Sequence, residues 1–204
     1  MHEWRIRRRP SIPDHVLCYT IGVTTQLGSL IFEPTKEHGA LLAPTVALAL
    51  VRLPGAEAIG VAEIDPAVSD TAGFCERYGI GPEQAANCIV VEAVRGSERI
   101  LAACVILAST RADINGKVRQ CLDMKKVSFA QMEKAMSATG MAFGTITPIG
   151  LPSSWRILVD AAVTRAQWVI MGSGVRHSKL AVPGSFLAGL PNVSVVEGLA
   201  HPRD

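Results

Sequence analysis

Short apolar runs, separated by glycine, proline and polar residues, recur along the chain from about Leu27 onward. Runs of this length that are rich in β-branched residues are typical of strands rather than helices. Two of them flank Arg95-Gly96-Ser97-Glu98, a turn sequence that predicts a β-hairpin. We therefore predict strands over residues 28–32, 58–64, 87–94, 100–108, 124–127, 157–159, 168–171, 179–182 and 193–197.

Helices are indicated by the residues that begin and end them. Pro44 suits the first turn of a helix. Ser69 and Asn115 are N-cap candidates, and Ser128 with Gln131 has the spacing of a capping box. Glycine is the commonest residue just after a helix. We predict helices over residues 44–51, 69–78 (ended by Gly79), 115–122, 128–140 (ended by Gly140) and 185–190.

The order of these elements mixes a hairpin, isolated strands and intervening helices, without a regular alternation of strand and helix. This order predicts a mixed α/β (α+β) domain, in which a largely antiparallel mixed sheet packs with helices. We assign this domain to residues 27–204. Residues 1–26 are rich in arginine, broken by proline and without periodicity, so we predict a poorly ordered N-terminal extension there.

Composition narrows the class of protein. The 204 residues are enough for one domain of ordinary size, and 49% apolar with only 5% aromatic residues implies an aliphatic core. A net charge of only +2 does not produce the strong positive field typical of nucleic-acid-binding proteins. A local basic patch is still compatible with this charge.

Cysteine and histidine are scattered, with no CxxC pair and no Cys/His cluster. We therefore expect no disulfide framework and no metal site, and a reducing cytoplasm fits best. No apolar run approaches the roughly 20 residues of a membrane span, and the N-terminus lacks the features of a signal peptide. The five cysteines are Cys18, Cys75, Cys88, Cys104 and Cys121, of which Cys88 is expected in the core.

The most informative segment is residues 138–152, which holds three glycines and two prolines among small hydroxyl side chains. Glycine lets the backbone approach a ligand closely, and proline fixes the chain. Such a loop suits binding through main-chain N–H and C=O groups. The alternative is an ordinary loop between a helix and a strand.

A second cluster of small residues, 171–176, follows a predicted strand. Successive N–H groups beside Arg176 suit an anion, whereas the alternative is a tight turn between strands. The cluster lacks the GxGxxG spacing and a long following helix, so a dinucleotide site is excluded. The pair Lys125-Lys126 either faces a phosphate or is solvated. The hydroxyl residues have no evident His and Asp partners, so a Ser-His-Asp hydrolase is not supported. Asp160 follows a predicted strand and is expected to cap the next helix.

These motifs occur in an order that resembles the YbaK/EbsC-type family, which comprises prolyl-tRNA-synthetase-associated editing domains and free-standing aminoacyl-tRNA deacylases. The resemblance spans residues 44–200. The segments that carry it, in order, are Lys125-Lys126-Val127-Ser128-Phe129-Ala130, Thr139-Gly140, Gly144-Thr145-Ile146-Thr147-Pro148-Ile149-Gly150-Leu151-Pro152, Val159-Asp160, Gly172-Ser173-Gly174-Val175-Arg176 and Lys179-Leu180-Ala181-Val182.

The resemblance implies a hydrolase that cleaves the ester of mischarged aminoacyl-tRNA in trans, without a metal or other cofactor. The partner is then the 3′ end of an aminoacyl-tRNA, and a homodimer stays open. The resemblance also implies that backbone groups of the glycine-rich loop hold the aminoacyl group and polarise its carbonyl. The implied catalytic positions are Gly144, Thr145 and Asn87. The implied substrate-binding residues are Thr139, Gly140, Ile146, Thr147, Pro148, Gly150, Gly172, Ser173, Gly174, Arg176 and Lys125.

The chain departs from the family pattern at two places. Asn87 stands where active members carry a lysine, and Gly172 and Lys179 align with a serine and an acidic residue. We therefore expect weak deacylation, raised at least about tenfold by Asn87→Lys unless another cation such as Lys125 or Arg176 replaces the missing charge. The alternative is a non-catalytic binding module for tRNA ends, aminoacyl-adenosine or amino acids.

Overall fold

A computed structural model of the chain describes residues 24–203. The predicted N-terminal extension therefore lies almost wholly outside the described residues. Its last two positions belong to the first strand, Thr25–Leu27, which pairs with the strand that follows it.

The described part of the chain forms twelve strands and six helices. The strands are β1 (Thr25–Leu27), β2 (Leu30–Pro34), β3 (Gly60–Glu63), β4 (Ala86–Arg95), β5 (Glu98–Leu107), β6 (Thr110–Ala112), β7 (Lys126–Phe129), β8 (Arg156–Asp160), β9 (Val169–Gly172), β10 (Ser178–Val182), β11 (Val193–Val196) and β12 (Ala200–Pro202). The helices are α1 (Pro44–Arg52), α2 (Thr71–Tyr78), α3 (Arg119–Leu122), α4 (Met132–Thr139), α5 (Ala161–Arg165) and α6 (Gly184–Ala188).

The strands make two five-stranded sheets and one small pair. The first sheet has the order β1-β2-β3-β10-β9, and the second has the order β11-β8-β5-β4-β7. Strands β6 and β12 form the pair. Strand β8 pairs in parallel with β5 and β11, and every other named pair is antiparallel. The prediction of a mixed α+β domain with a largely antiparallel sheet is confirmed.

The longest element is the hairpin of β4 and β5, whose register runs from Ala86↔Leu107 to Arg95↔Glu98. The turn between them has only two residues, and Gly96 adopts a positive φ of 59° there. Helix α1 begins at Pro44, and α2 ends at Gly79 in the left-handed conformation, as the sequence indicates.

Three predicted helix starts are wrong. Helix α2 is capped by Asp70, whose Oδ1 accepts from the Gly73 N–H at 3.0 Å, rather than by Ser69. The helical turn before α3 is capped by Asp113 rather than Asn115. Ser128 lies in β7, where it pairs with Glu92 of β4, so the predicted capping box does not form.

Several short elements had no sequence prediction, among them β6 and β12. Strand β1 was also missed, and with β2 it makes a hairpin. Asp160 caps α5 as expected, since its Oδ1 accepts from the Ala162 N–H at 2.8 Å. No helix within residues 24–203 is long and apolar enough to cross a bilayer.

Buried side chains form three clusters in the described chain, and the largest lies between the two sheets. It joins α1 to strands β4, β5, β8, β9 and β10. Met141, Ile146 and Ile149 of the glycine-rich segment belong to this cluster. The glycine-rich segment is therefore anchored by its own apolar side chains, which fixes the backbone between them.

Candidate functional site

A cavity of about 620 Å³ opens beside β4, between β7 and β9. Its size is in the range of small-molecule sites. Polar side chains on its wall are Asp70, Thr71, Asn87 and Lys179. Apolar side chains on its wall are Val90, Phe129, Met132, Ala135, Phe143 and Ile146. The lining is completed by Ala86, Cys88, Ile89, Ala130, Gly144 and Gly172.

One edge of β4 is unpaired where it borders the cavity. On this edge the Ile170 N–H donates to the carbonyl of Gln84 at 2.7 Å, and the Ala130 N–H donates to that of Val90 at 3.0 Å. Main-chain groups alternate sides along an antiparallel strand, so those of Cys88 face the same edge. Within residues 24–203, no strand pairs with Cys88 on this side. Its N–H and C=O can therefore bind a ligand.

The Gly144 turn projects toward the cavity. Gly144 has a φ of 77°, and a Cβ built on it would meet no atom within 4 Å. The turn is held in place because the Ala142 N–H donates to Gly174 O and the Gly174 N–H donates to Thr145 O, both at 2.9 Å. A rigid backbone with open space beside it suits close approach of a ligand.

Asn87 is held in a fixed orientation on β4. The Thr71 hydroxyl donates to Asn87 Oδ1 at 2.7 Å. Within residues 24–203, the Asn87 Nδ2 group donates no hydrogen bond, and it keeps some exposure to solvent. Because the carbonyl is already used, Asn87 presents its two N–H donors to the cavity.

Among the described residues, Lys179 of β10 and Asp70 are the two charged residues on the cavity wall that the sequence did not place in the site. Lys179 is only 5% exposed, and its Nζ donates to Ser69 O at 2.9 Å and lies 5.1 Å from the centre of the Phe74 ring. Burial lowers the pKa of Lys179 to about 8. The available signal was a lysine directly before the apolar run Leu180-Ala181-Val182, which marks a charge inside a buried strand.

The hydroxyl side chains proposed from the sequence point inward. Thr139 Oγ1 donates to Ala135 O at 2.8 Å, Thr145 Oγ1 donates to Ala142 O at 2.8 Å, and the Ser173 and Ser178 hydroxyls are 2.7 Å apart. Thr147 Oγ1 lies 3.4 Å from the Met171 sulfur. These hydroxyls stabilise the loops around the cavity, and they do not line it.

The other residues proposed from the sequence lie either on the cavity wall or outside it. Asn87, Gly144, Ile146 and Gly172 are brought together on the cavity wall. Lys125 and Arg176 are exposed and lie outside that wall, as do Gly140, Pro148, Gly150 and Gly174. No group of three or more His, Cys, Asp or Glu side chains suited to a metal ion occurs within the described residues.

Comparison with protein-family profiles matches residues 65–188 to the aminoacyl-tRNA editing domain. This range contains every residue that lines the cavity. A solved structure of a protein proposed to be a trans-editing enzyme for prolyl tRNA synthetase is similar, with a TM-score of 0.65 and 19% identity, over 76% of this chain and 94% of that one. The structure of hypothetical protein APE2540 has a TM-score of 0.61 and 18% identity, over 69% of this chain and 90% of that one. At these identities the likeness shows a shared fold.

Proposed function

The chain belongs to the aminoacyl-tRNA editing domain family, and we propose that it hydrolyses mischarged aminoacyl-tRNA in trans. The observation that carries this proposal is the cavity itself. The Gly144 turn and the Asn87 amide share it with the unpaired edge of β4. Main-chain groups and neutral donors of this kind can hold an aminoacyl ester and polarise its carbonyl. We propose the cytoplasm as its location, since aminoacyl-tRNA is used there.

The proposed reaction is ester hydrolysis. Water adds to the carbonyl carbon, the bond between that carbon and the ribose oxygen breaks, and the ribose oxygen takes up a proton. The products are the free amino acid and the uncharged tRNA. Negative charge develops on the carbonyl oxygen during this step, and N–H donors aimed at that oxygen lower the barrier. The main chain of the Gly144 turn is our candidate for those donors.

Two aromatic side chains on the cavity wall fit the unpaired 3′ end of a tRNA. Phe129 is 66% exposed and Phe143 is 55% exposed, although each has a large apolar ring. Proteins that recognise single-stranded RNA commonly stack bases on such rings. We propose that the terminal bases stack there while the aminoacyl group enters the cavity. A small amino acid on the proline tRNA is the leading substrate.

Asn87 limits the proposed activity. A neutral amide donor stabilises an anionic oxygen less than an ammonium does, and losing one charge-assisted hydrogen bond costs roughly 1.5–3 kcal/mol. This corresponds to about tenfold to a few hundredfold in rate or affinity. We therefore propose that hydrolysis is weak compared with that of relatives that carry a lysine at this position, unless another cation of the cavity supplies the charge.

A panel of mischarged tRNAs tests the proposal. Purified protein is incubated with each substrate, alanine on the proline tRNA among them, and release of the amino acid is compared with spontaneous hydrolysis. At least one substrate should be cleaved above the spontaneous rate. The Gly144→Val variant serves as the control that keeps the fold. If no substrate in the panel is cleaved faster than without protein, the hydrolase proposal is wrong.

A second candidate function is a non-catalytic binding module for aminoacyl-adenosine or a tRNA end. Asp70 is the only carboxylate on the cavity wall among the described residues. Its Oδ1 already accepts from the Gly73 N–H at 3.0 Å. This leaves few groups able to activate water. Binding of a non-hydrolysable aminoacyl-adenosine analogue without hydrolysis of any panel substrate would favour this function.

A further inference from the structure

Lys179 is the only lysine or arginine on the cavity wall among residues 24–203. Within the same residues, no carboxylate lies within salt-bridge distance of its ammonium group. Its hydrogen bond goes to a main-chain carbonyl, that of Ser69. An ammonium carries three donors, so two remain for another partner. A buried cation with spare donors on a cavity wall is unusual, because burying an unpaired charge is costly.

The strand register directs Lys179 toward the glycine-rich loop. Lys179 is paired with Gly172 across β10 and β9. Directly opposed residues in a sheet project from the same face, with about 5 Å between their Cβ positions. A Cβ on Gly172 would lie 2.0 Å from Thr145 O, so this face is covered by the Gly144 turn. The Lys179 side chain therefore leaves its strand beside the backbone that borders the cavity.

A single short segment connects Lys179 to Asn87. Ser69 O accepts from the Lys179 ammonium, and two residues later the Thr71 hydroxyl donates to Asn87. Residues 69–71 thus orient both the charged and the neutral donor of the cavity. The cation comes from β10, whereas the lysine of the resembled family would stand on β4 at Asn87. The structure therefore offers a charge from a different strand.

We propose that Lys179 supplies the positive charge of this cavity and binds an anionic oxygen of the ligand. The inference rests on the proposed function for the identity of the substrate, and it rests on geometry for the charge. Two oxygens have the required chemistry, a phosphate oxygen of the terminal nucleotide and the carbonyl oxygen of the ester as it becomes negative. Either would use the free donors of Lys179 and compensate its buried charge.

The proposal is tested with variants that remove the positive charge from β10 or place one on β4. The measured quantity is kcat/KM for deacylation. Lys179→Met removes the charge and keeps an apolar stem, and we expect a loss of at least about tenfold. Adding Asn87→Lys to Lys179→Met should restore activity, because a positive charge then enters the cavity from β4 instead of β10. Lys36→Met, which removes an exposed lysine outside the cavity, is the matched control. A loss of less than about twofold in Lys179→Met would overturn the proposal.

Nucleotide binding and cleavage of a small ester distinguish the two candidate oxygens. Adenosine 5′-monophosphate and adenosine are titrated into wild type and Lys179→Met by calorimetry, and an alanine methyl ester is used for hydrolysis. Weaker binding of the monophosphate alone identifies the phosphate as the partner of Lys179. Slower cleavage of the methyl ester, which has no phosphate, identifies the ester oxygen. If Lys179→Met changes neither, the proposal fails even where wild type is active.

The pH dependence gives a further readout that a purely structural role would not produce. Burial lowers the pKa of Lys179 to about 8, and its surroundings include Asp70, Cys75 and the Phe74 ring. The cationic form predominates below this pH, so the contribution of Lys179 to binding should disappear as the pH rises past about 8. Wild type and Lys179→Met should then converge. Should Lys179→Met not fold, Lys179→Gln provides the same comparison.

Discussion

Gly144 illustrates how one residue separates binding from folding. Its φ of 77° disfavours any side chain, yet nothing within 4 Å would collide with a Cβ. We expect Gly144→Val to cost about 1–2 kcal/mol through backbone strain and to leave the protein folded. The side chain would fill the space beside the turn, so ligand binding and deacylation should fall by at least about tenfold. Thermal unfolding and calorimetric titration measure the two effects.

Gly198→Val is the matched control for this prediction. Gly198 has a φ of 64°, also has no neighbour within 4 Å of a built Cβ, and lies outside the cavity. It should show the same loss of stability with unchanged binding. Gly172→Ala represents the opposite case, because its Cβ would meet Thr145 O at 2.0 Å and should destabilise the whole fold. Full ligand binding in Gly144→Val would show that the turn does not contact the ligand.

Lys179 should also make stability depend on pH. The pKa of Lys179 is about 8 in the folded chain against an ordinary value of 10.5. Between these values the unfolded chain binds the additional proton, so the free energy of unfolding rises with pH. Below about pH 8 the cost of the buried charge is fully present. The difference corresponds to at most about 3 kcal/mol.

Denaturant unfolding of wild type and Lys179→Met at pH 7.5, 9 and 10.5 measures this effect. The variant should be the more stable protein at pH 7.5, and the difference should shrink at each higher pH. Groups remote from Lys179 titrate alike in both proteins and cancel in the comparison. Cys75 does not cancel, because burial raises its pKa and the charge of Lys179 opposes that rise. A constant difference between the two proteins across this range would mean that Lys179 is not buried as a charged group.

At the scale of elements, the sequence predicted the turns and helix ends that depend on interactions between neighbouring residues. The β4–β5 hairpin, the start of α1 at Pro44 and the end of α2 at Gly79 follow from turn and capping chemistry within a few residues. Ser128 and Gln131 have the spacing of a capping box, but Ser128 lies in β7, which pairs with β4. Short-range spacing contains no information about such a partner.

The same distinction applies to the candidate site. Gly144, Gly172 and Asn87 were identified from motif order, and the structure brings them to one cavity. Lys179 was recognised only as a departure from the family pattern. Its approach to the cavity depends on the register of β10 against β9 and on the position of Ser69, which no local pattern specifies.

Asp160 connects two elements and gives a prediction at this scale. Its Oδ1 caps α5 through the Ala162 N–H, and its Oδ2 accepts from the Ala200 N–H at 2.9 Å at the start of β12. Asp160→Ala should destabilise the protein by about 1–3 kcal/mol, because it leaves buried donors without partners. Asp160→Asn, which retains one acceptor oxygen, should cost less. Equal stability of wild type and Asp160→Ala in urea would contradict this role.

At the scale of the whole molecule, the cavity depends on distant parts of the chain. Its wall uses the start of α2, the free edge of β4, the end of β7, the start of α4, the Gly144 turn, the end of β9 and the start of β10. Four wall residues, Ala86, Val90, Ala135 and Ile146, belong to the largest buried cluster, which joins strands of both sheets. The site and the global fold should therefore be lost together on unfolding.

The N-terminal segment gives the final prediction. The three buried clusters of the described chain draw on residues from Leu27 to Ala200. Residues 1–22 show no apolar period typical of a packed helix or strand. We expect their deletion to leave deacylation unchanged and to shift Tm by less than about 2 °C, the shift that roughly 1 kcal/mol produces in a domain of this size. Deletion of residues 1–29 is the control, since it removes β1 and its pairing with β2 and should lower Tm clearly. A drop of several degrees on deleting residues 1–22 alone would show that they pack against the domain, and the boundary would then move toward the N-terminus.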